Sequence, residues 1–259
     1  MRSLRRLLLV FSALGTLLLV FILLPLLHTL VSAFLDWEVL EETARSSAFW
    51  RIFGLTAYAA VLATLTAAAL GTPLAYVLAR KDFFGREFVE GIVDVPVVIP
   101  HMAAGIALLS VLSRQGIAGA LGLQLTETFF ATVAAMLFVS VPFYVDVALE
   151  GFRSVDVRLE NVARSLGASG FEAFVRVTLP LAARHLLAGA VLCWARAVSE
   201  FAAIIAVAYY PMVISTYIWE VFLSEGYRAA RSAVALVLIL SLLVFVALRV
   251  LTKPSRGRR

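Results

Sequence analysis

Residues able to perform chemistry are few in this chain, and their spacing matches no common catalytic or metal-binding pattern. His28, His101 and His185 lie far apart, so no His-x-x-x-His or His-Glu-x-x-His pair predicts a zinc site. Cys193 is the only cysteine, which excludes an intrachain disulfide and a cluster of thiolate ligands. The sequence has neither a Gly-x-Ser-x-Gly elbow nor a Gly-x-x-x-x-Gly-Lys-Ser/Thr phosphate loop. We therefore expect no catalytic residue, no metal and no cofactor in this chain.

Charged residues inside apolar stretches are the first candidates for a functional role. Arg196 and Glu200 are four residues apart, close enough to pair on one helix, with Ser199 between them. If this stretch crosses a membrane, both charges must face the protein interior or water. They either form an ion pair that fixes the helix, or Arg196 supplies positive potential to an anion route while Glu200 holds it in place.

Two prolines interrupt another apolar stretch and give a second set of candidates. Pro96 and Pro100 should break a helix, and broken backbone at membrane depth is tolerated only against protein or a water-filled cavity. His101 follows directly, and it is either a packing residue or a ligand for the substrate. The candidate pathway residues are thus Pro96, Pro100, His101, Arg196, Ser199 and Glu200.

The composition indicates which kind of protein positions these residues. Of the 259 residues, 62% are hydrophobic and 15% charged, whereas soluble domains have about 45–50% and about 25%. A soluble domain could not hide that excess from water, so we predict an all-α polytopic membrane protein and exclude a soluble enzyme. We expect residues 1–259 to form one transmembrane domain of six helices. The predicted spans are residues 7–35, 52–79, 88–113, 128–150, 184–210 and 231–251.

The positions of the basic residues predict the orientation in the membrane. Most of the 22 Lys and Arg residues fall at the N-terminus, in the loops after the second and fourth spans, and at the C-terminus. Because basic loops resist translocation, both termini should face the cytoplasm. The first apolar run is too long for a signal-peptide core, so we expect it to be retained. We predict a multi-pass cell-membrane protein whose surroundings are the lipid bilayer, with no nucleic-acid partner.

A polar cytoplasmic insert at residues 151–183 is too long and too patterned to be a simple connection. Asp156 is a predicted N-cap, and Gly167 should end a first short helix in the left-handed conformation. Ser169 and Glu172 form a capping box that opens a second helix, and Pro180 should close the insert. Pattern alone fits a pair of amphipathic helices at the membrane surface. The apolar face of the first helix comprises Val155, Leu159, Val162 and Leu166, opposite Arg158, Glu160, Asn161 and Arg164.

The insert resembles the EAA loop of binding-protein-dependent ABC importer permeases, which docks on the ATP-hydrolysing subunit. Nine residues separate Gly167 from Val-Thr-Leu-Pro at 177–180, as in that loop. In strict register the family's Glu falls on Asn161, while Glu160 stands one position early. The resemblance leaves open whether Glu160 or Asn161 contacts the ATPase. The ATPase-coupling residues it implies are Glu160, Asn161, Ala163, Gly167, Leu179 and Pro180.

The resemblance extends over nearly the whole chain to permeases of molybdate, tungstate and sulfate importers. The stretches that carry it are residues 71–76 with 79–80, 94–101, 199–201 and 209–211. It implies a type I importer fold, with a homodimer of permeases, two ATP-binding subunits that hold ATP and Mg, and an extracytoplasmic oxyanion-binding protein. Molybdate or tungstate is the expected substrate, and sulfate or thiosulfate is the alternative. Without the patterned insert, a secondary transporter or channel would fit six spans equally well, and an intramembrane enzyme fits less well.

Overall fold

A computed structural model describes residues 2–251, and that range is built from helices and short connections. The helices vary from four to 34 residues. A turn of π-helix, Phe174–Thr178, joins α9 to α10. Their bounds are α1 Arg2–Leu35, α2 Trp37–Arg45, α3 Ser47–Arg80, α4 Arg86–Val98, α5 His101–Leu112, α6 Ile117–Ala120, α7 Phe129–Ser154, α8 Val157–Ser165, α9 Gly170–Ala173, α10 Leu179–Val198, α11 Ala202–Val207, α12 Ile214–Ser224 and α13 Tyr227–Leu251.

Six helical segments within residues 2–251 are long and apolar enough to cross a membrane, which confirms the predicted number. The third and fifth differ most from the predicted bounds, because each predicted span contains a break. The six segments are Leu7–Leu35, Ser47–Arg80, His101–Ala120, Phe129–Ser154, Gly170–Val198 and Tyr227–Val244.

The predicted span 88–113 is two helices, because the chain breaks at Pro100. Ile99 adopts an extended conformation, with φ −75° and ψ 146°, as a residue before proline prefers. Pro100 has no N–H to continue the helix, and α5 starts afresh at His101. Pro96 was also expected to interrupt the span, and this was wrong: it is buried inside the continuous helix α4.

The predicted span 184–210 is wrong at both ends. Helix α10 begins at Leu179 and ends at Val198, so Arg196 lies in its last turn and Glu200 lies beyond it. The break is held by side chains: a carboxylate oxygen of Glu200 accepts a hydrogen bond from the Ala203 N–H at 2.8 Å. The Ser215 hydroxyl donates to the Glu200 carbonyl at 2.6 Å, replacing the bond that a continued helix would make.

Residues 51–217 form one compact unit in which α7 packs closely against α10. Two glycines allow the close approach. A Cβ at Gly151 would lie 2.4 Å from the Cβ of His185, and one at Gly189 would lie 3.1 Å from the Tyr144 carbonyl oxygen. Small residues thus replace the bulky apolar contacts that drive packing in water, as is usual between membrane helices.

Residues 2–50 and 218–251 form a second compact unit. Ala33, Leu40 and Ala235 are the buried residues of its core. Asp36 accepts hydrogen bonds from Arg228, at 2.6 Å, and from Arg231, which tie the end of α1 to α13. The most apolar part of α1 contains no buried residue, as expected of a helix surrounded by lipid.

Candidate functional site

The insert contains the caps and the turn that its sequence predicts. The Asp156 side chain accepts a hydrogen bond from the Arg158 N–H at 2.9 Å, and α8 starts there. Gly167 has φ +96°, a left-handed conformation that only glycine adopts without strain. Ser169 and Glu172 make both hydrogen bonds of a capping box. We call residues Asp156–Leu179 the coupling segment.

The second half of the coupling segment is continuous with α10, so Pro180 does not separate the insert from the following helix as predicted. After the single turn of α9, the π-helical turn leads directly into α10, with Pro180 in its first turn. The Leu179 N–H bonds the Phe174 carbonyl, five residues back, so the backbone widens just before the proline. Proline is accepted at the start of a helix, and a wide turn gives its ring room.

The apolar face of α8 points away from the rest of the chain. An amphipathic helix that packs against its own protein usually turns this face inward. Val155 is buried, but Leu159, Val162 and Leu166 are 47%, 57% and 85% exposed. Phe171, at the start of the next helix, is exposed as well. Leu159, Val162, Leu166 and Phe171 thus each have about half or more of their surface left uncovered by residues 2–251. An exposed apolar surface on a patterned segment is typical of a docking site for another protein.

Glu160 is the buried residue of α8, and Asn161 is exposed. A Glu160 oxygen lies 2.7 Å from both the Nε and an Nη of Arg80, and the other oxygen accepts from the Tyr76 hydroxyl at 2.9 Å. Burial by itself raises the pKa of the Glu160 carboxyl, but the Thr178 hydroxyl, the hydrogen bonds from Tyr76 and Arg80, and the Arg80 charge together outweigh it and lower the pKa. The stabilisation is therefore full above the ordinary pKa of a glutamate, and it is lost as pH falls through the depressed value.

The remaining coupling candidates lie in the coupling segment or, for Pro180, directly after it. The Ala163 carbonyl accepts from the Ala168 N–H at 3.1 Å across the Gly167 turn, so Ala163 helps to close the turn. Leu179 is half-buried and Pro180 is exposed. These residues shape the backbone of the segment rather than offering polar groups.

The helix breaks at Pro100 and Glu200 bring most of the pathway candidates together. Glu200 is 1% exposed, and one of its oxygens lies 2.7 Å from an Arg196 Nη and 2.9 Å from the His101 Nδ1. The other Nη of Arg196 donates to the Ser199 hydroxyl at 3.3 Å. The predicted pair of Arg196 and Glu200 is thus confirmed. The sequence did not predict that the pair also contacts His101, which joins the end of α10 to the start of α5.

His101 contacts both charged members of the cluster. Its Nδ1 lies 2.9 Å from Glu200, and an Arg196 Nη contacts the same Nδ1 and lies 3.0 Å from the Nε2. The Arg196 side chain is 18% exposed. The cluster can hold three helix ends together, and it also presents part of a positive charge at its surface.

Arg80, Tyr76 and Ser215 contact the candidate residues but were not predicted as site residues. Arg80 and Glu160 are 80 positions apart, and Ser215 is 15 from Glu200, so no local spacing marks either contact. Tyr76 and Arg80 do lie in stretches that carry the family resemblance, but that resemblance assigned them no role.

Six membrane-length helices, broken helices with buried charges and an outward apolar segment define the transmembrane subunit of a transporter. Residues 71–256 match the family described as "Binding-protein-dependent transport system inner membrane component", and the chain belongs to this family. It is therefore a multi-pass membrane protein and a permease subunit of an ABC importer.

Two curated relatives and a solved structure show the extent of the similarity. The molybdate/tungstate transport system permease protein WtpB of Pyrococcus furiosus is 42% identical over 248 residues, which cover 96% of this chain and 95% of the relative. The probable sulfate transport system permease protein cysT of Prototheca wickerhamii is 31% identical over 217 residues, which cover 81% of this chain and 85% of the relative. A bacterial alginate ABC transporter, crystallised in complex with an alginate pentasaccharide-bound periplasmic protein, has a chain of the same fold. The two chains superpose with a TM-score of 0.75 and are 21% identical, and the match covers 96% of this chain and 95% of the transporter chain.

Proposed function

We propose that this chain is the permease of an importer for molybdate or tungstate, and that it forms one half of the translocation pore. The observation that carries the importer assignment is the coupling segment, whose apolar face is exposed while its glutamate is buried. The substrate assignment is supported by the identity to a molybdate/tungstate permease, which exceeds that to a sulfate permease. The chain itself contributes no chemical step.

The proposed complex contains two copies of this chain, two ATP-binding subunits and an extracytoplasmic oxyanion-binding protein. ATP and Mg would be held by the ATP-binding subunits, because this sequence has no phosphate loop. Both termini and the coupling segment would lie in the cytoplasm, as the distribution of Lys and Arg favours. The likeness in fold to a transporter crystallised with its periplasmic protein supports a binding-protein partner on the other side.

The coupling segment is the proposed contact with the ATPase, through the outward side chains of α8. Asn161 is exposed beside Val162 and is the polar residue available for that contact. Glu160 is already bonded to Arg80 and Tyr76, so it would act from inside the chain. Docking would cover the apolar side chains, and each fully buried aliphatic or aromatic residue would contribute about 1.5–3 kcal/mol.

The cluster of His101, Arg196 and Glu200 is the proposed wall of the pathway. We assign it first a structural role, because Glu200 uses both oxygens to hold α5, α10 and α11 at their breaks. The exposed part of Arg196 adds positive potential there, which favours an anion over a cation.

The test is ATP hydrolysis by the complex reconstituted in proteoliposomes. Purified binding protein is added empty, or loaded with molybdate, tungstate or sulfate, and uptake of the same anion is measured in parallel. We expect molybdate- or tungstate-loaded protein to stimulate hydrolysis and uptake. Stimulation by the sulfate-loaded protein alone would identify a sulfate importer. Uptake without ATP or any ATPase subunit would instead identify a secondary transporter or channel.

A further inference from the structure

Arg80 is the centre of a buried junction between three helices. Its guanidinium bonds Glu160 on α8, and it also donates to the carbonyls of Phe152 and Val155 at 2.8 and 3.1 Å. Those carbonyls lie at the C-terminal end of α7, where the regular hydrogen bonds of the helix run out. Arg80 itself ends α3. One side chain thus fixes the ends of α3 and α7 to the middle of α8.

The junction is dry and geometrically constrained. The side chains of Arg80 and Glu160 are 8% and 10% exposed. The planar guanidinium bonds in several directions at once, which a lysine ammonium could not reproduce with the same geometry. Tyr76 donates to Glu160, and its ring packs at 4.7 Å from the ring of Phe174, in the π-helical turn of the coupling segment.

Glu160 is also the buried side chain that joins α8 to the end of α3. Among residues Val157–Ser165 it alone is buried, whereas the apolar side chains face away from the chain. A displacement of α8 reaches α7 along the chain, whereas Glu160 links α8 through Arg80 to the end of α3, and Arg80 also bonds the end of α7. Short, charge-assisted hydrogen bonds between dry groups resist stretching better than exposed pairs do.

We propose that Arg80 and Glu160 are positioning residues that transmit movement of the coupling segment to α3 and α7. This inference rests on the proposed function, because the movement would come from the docked ATPase. In this role Glu160 does not contact the ATPase. It converts displacement of α8 into displacement of two membrane helices, so that ATP hydrolysis and anion transport remain linked.

Glu160→Gln is the main test, because it keeps the shape of the side chain and removes the charge that binds Arg80. The complex is purified and reconstituted, and anions transported are measured per ATP hydrolysed. We expect assembled Glu160→Gln complexes to keep basal ATP hydrolysis within twofold. Stimulation by loaded binding protein and transport per ATP should each fall at least fivefold. Arg80→Lys should behave similarly, since it keeps the charge but loses the bonds to the α7 carbonyls.

Glu90→Gln is the matched control. Glu90 pairs with Arg153, also near the end of α7, at 2.8 Å, but this pair is more exposed and does not involve α8. Its transport per ATP should equal that of the wild type. If Glu160→Gln lowers only the yield of complex, and each complex transports as many anions per ATP as wild type, the residue is merely structural and the proposal is wrong.

A milder variant keeps the test decisive if Glu160→Gln fails to assemble. Tyr76→Phe leaves the ion pair and the aromatic packing and removes only the hydroxyl bond to Glu160, so we expect about a twofold loss of transport per ATP. A wild-type ratio in Tyr76→Phe would then contradict the proposal. A wild-type complex that no loaded binding protein stimulates would refute the proposed function instead, before any variant is compared.

Discussion

Replacing Arg196 with glutamine is expected to destabilise the helix break strongly. Glu200 is 1% exposed, and its remaining side-chain contacts would be the Ala203 N–H and His101. The carboxylate would keep these hydrogen bonds but lose its counter-charge. Removing one partner of a buried ion pair costs about 3–5 kcal/mol, and we expect the lower end because Arg196 is 18% exposed. A loss of about 3 kcal/mol shifts the folding equilibrium by about two orders of magnitude.

The double variant Arg196→Gln/Glu200→Gln should recover much of this loss. A glutamine at position 200 still has a carbonyl oxygen for the Ala203 N–H, and no unpaired charge is buried. The remaining deficit is that of exchanging charged for neutral hydrogen bonds, about 1–2 kcal/mol. The two substitutions should thus be non-additive by more than about 1 kcal/mol, as expected of directly contacting groups.

Thermal unfolding of the purified complex, followed by loss of the monodisperse peak, measures these differences. Arg114→Gln is the matched control, because Arg114 is exposed and bonds the side chain of Gln124 in a surface loop. The expected order of stability is wild type and Arg114→Gln first, then the double variant, then Arg196→Gln. An Arg196→Gln protein as stable as wild type, or a double variant no better than the single one, would refute the reasoning. A stable double variant whose uptake stays lost, while binding protein still stimulates its ATPase, would place Arg196 on the anion pathway.

Three further substitutions test other parts of the structure. Gly167→Val should strain the left-handed turn by about 1–2 kcal/mol and reduce binding-protein-stimulated hydrolysis at normal expression, whereas Gly167→Asn should be milder. A cysteine at Ala168, in a chain without the native cysteine, should react with an impermeant thiol reagent in inside-out vesicles and not in intact cells; labelling in intact cells would contradict the orientation. Gly151→Ala should separate α7 from α10, because the new methyl lies 2.4 Å from the Cβ of His185, and should lower thermal stability by about 1–3 kcal/mol. Gly91→Ala, with no atom near its added methyl, should not do so.

Features set by neighbouring residues were predictable from the sequence. The cap at Asp156, the turn at Gly167 and the capping box at Ser169 depend on side chains within three residues of the backbone they bond. The break at Pro100 was predictable for the same reason, since proline acts on its own peptide unit and the one before it. The number of membrane helices followed from the length of the apolar runs.

Features set by distant residues were not predictable. No proline or glycine marks the break at Glu200, because hydrogen bonds from Arg196, His101 and Ser215 hold it. The sequence did not show which face of α8 packs against the chain. Its period correctly indicated a helix, but the rule that apolar residues turn inward assumes that the chain buries its own apolar face. In α8 the inward position belongs to Glu160, which could be placed only by knowing that Arg80 lies opposite.

The outward face of α8 also bears on how a cell handles this protein before assembly. A newly inserted chain without its partners exposes Val162, Leu166 and Phe171 to water, at 57%, 85% and 75% of their surface. Exposed apolar side chains of this kind are what chaperones and quality-control proteases bind on unassembled subunits. We expect the permease to be degraded quickly when it is made alone and to persist when its partner subunit is co-expressed. The surface that makes assembly possible would then also limit the amount of unassembled permease in the membrane.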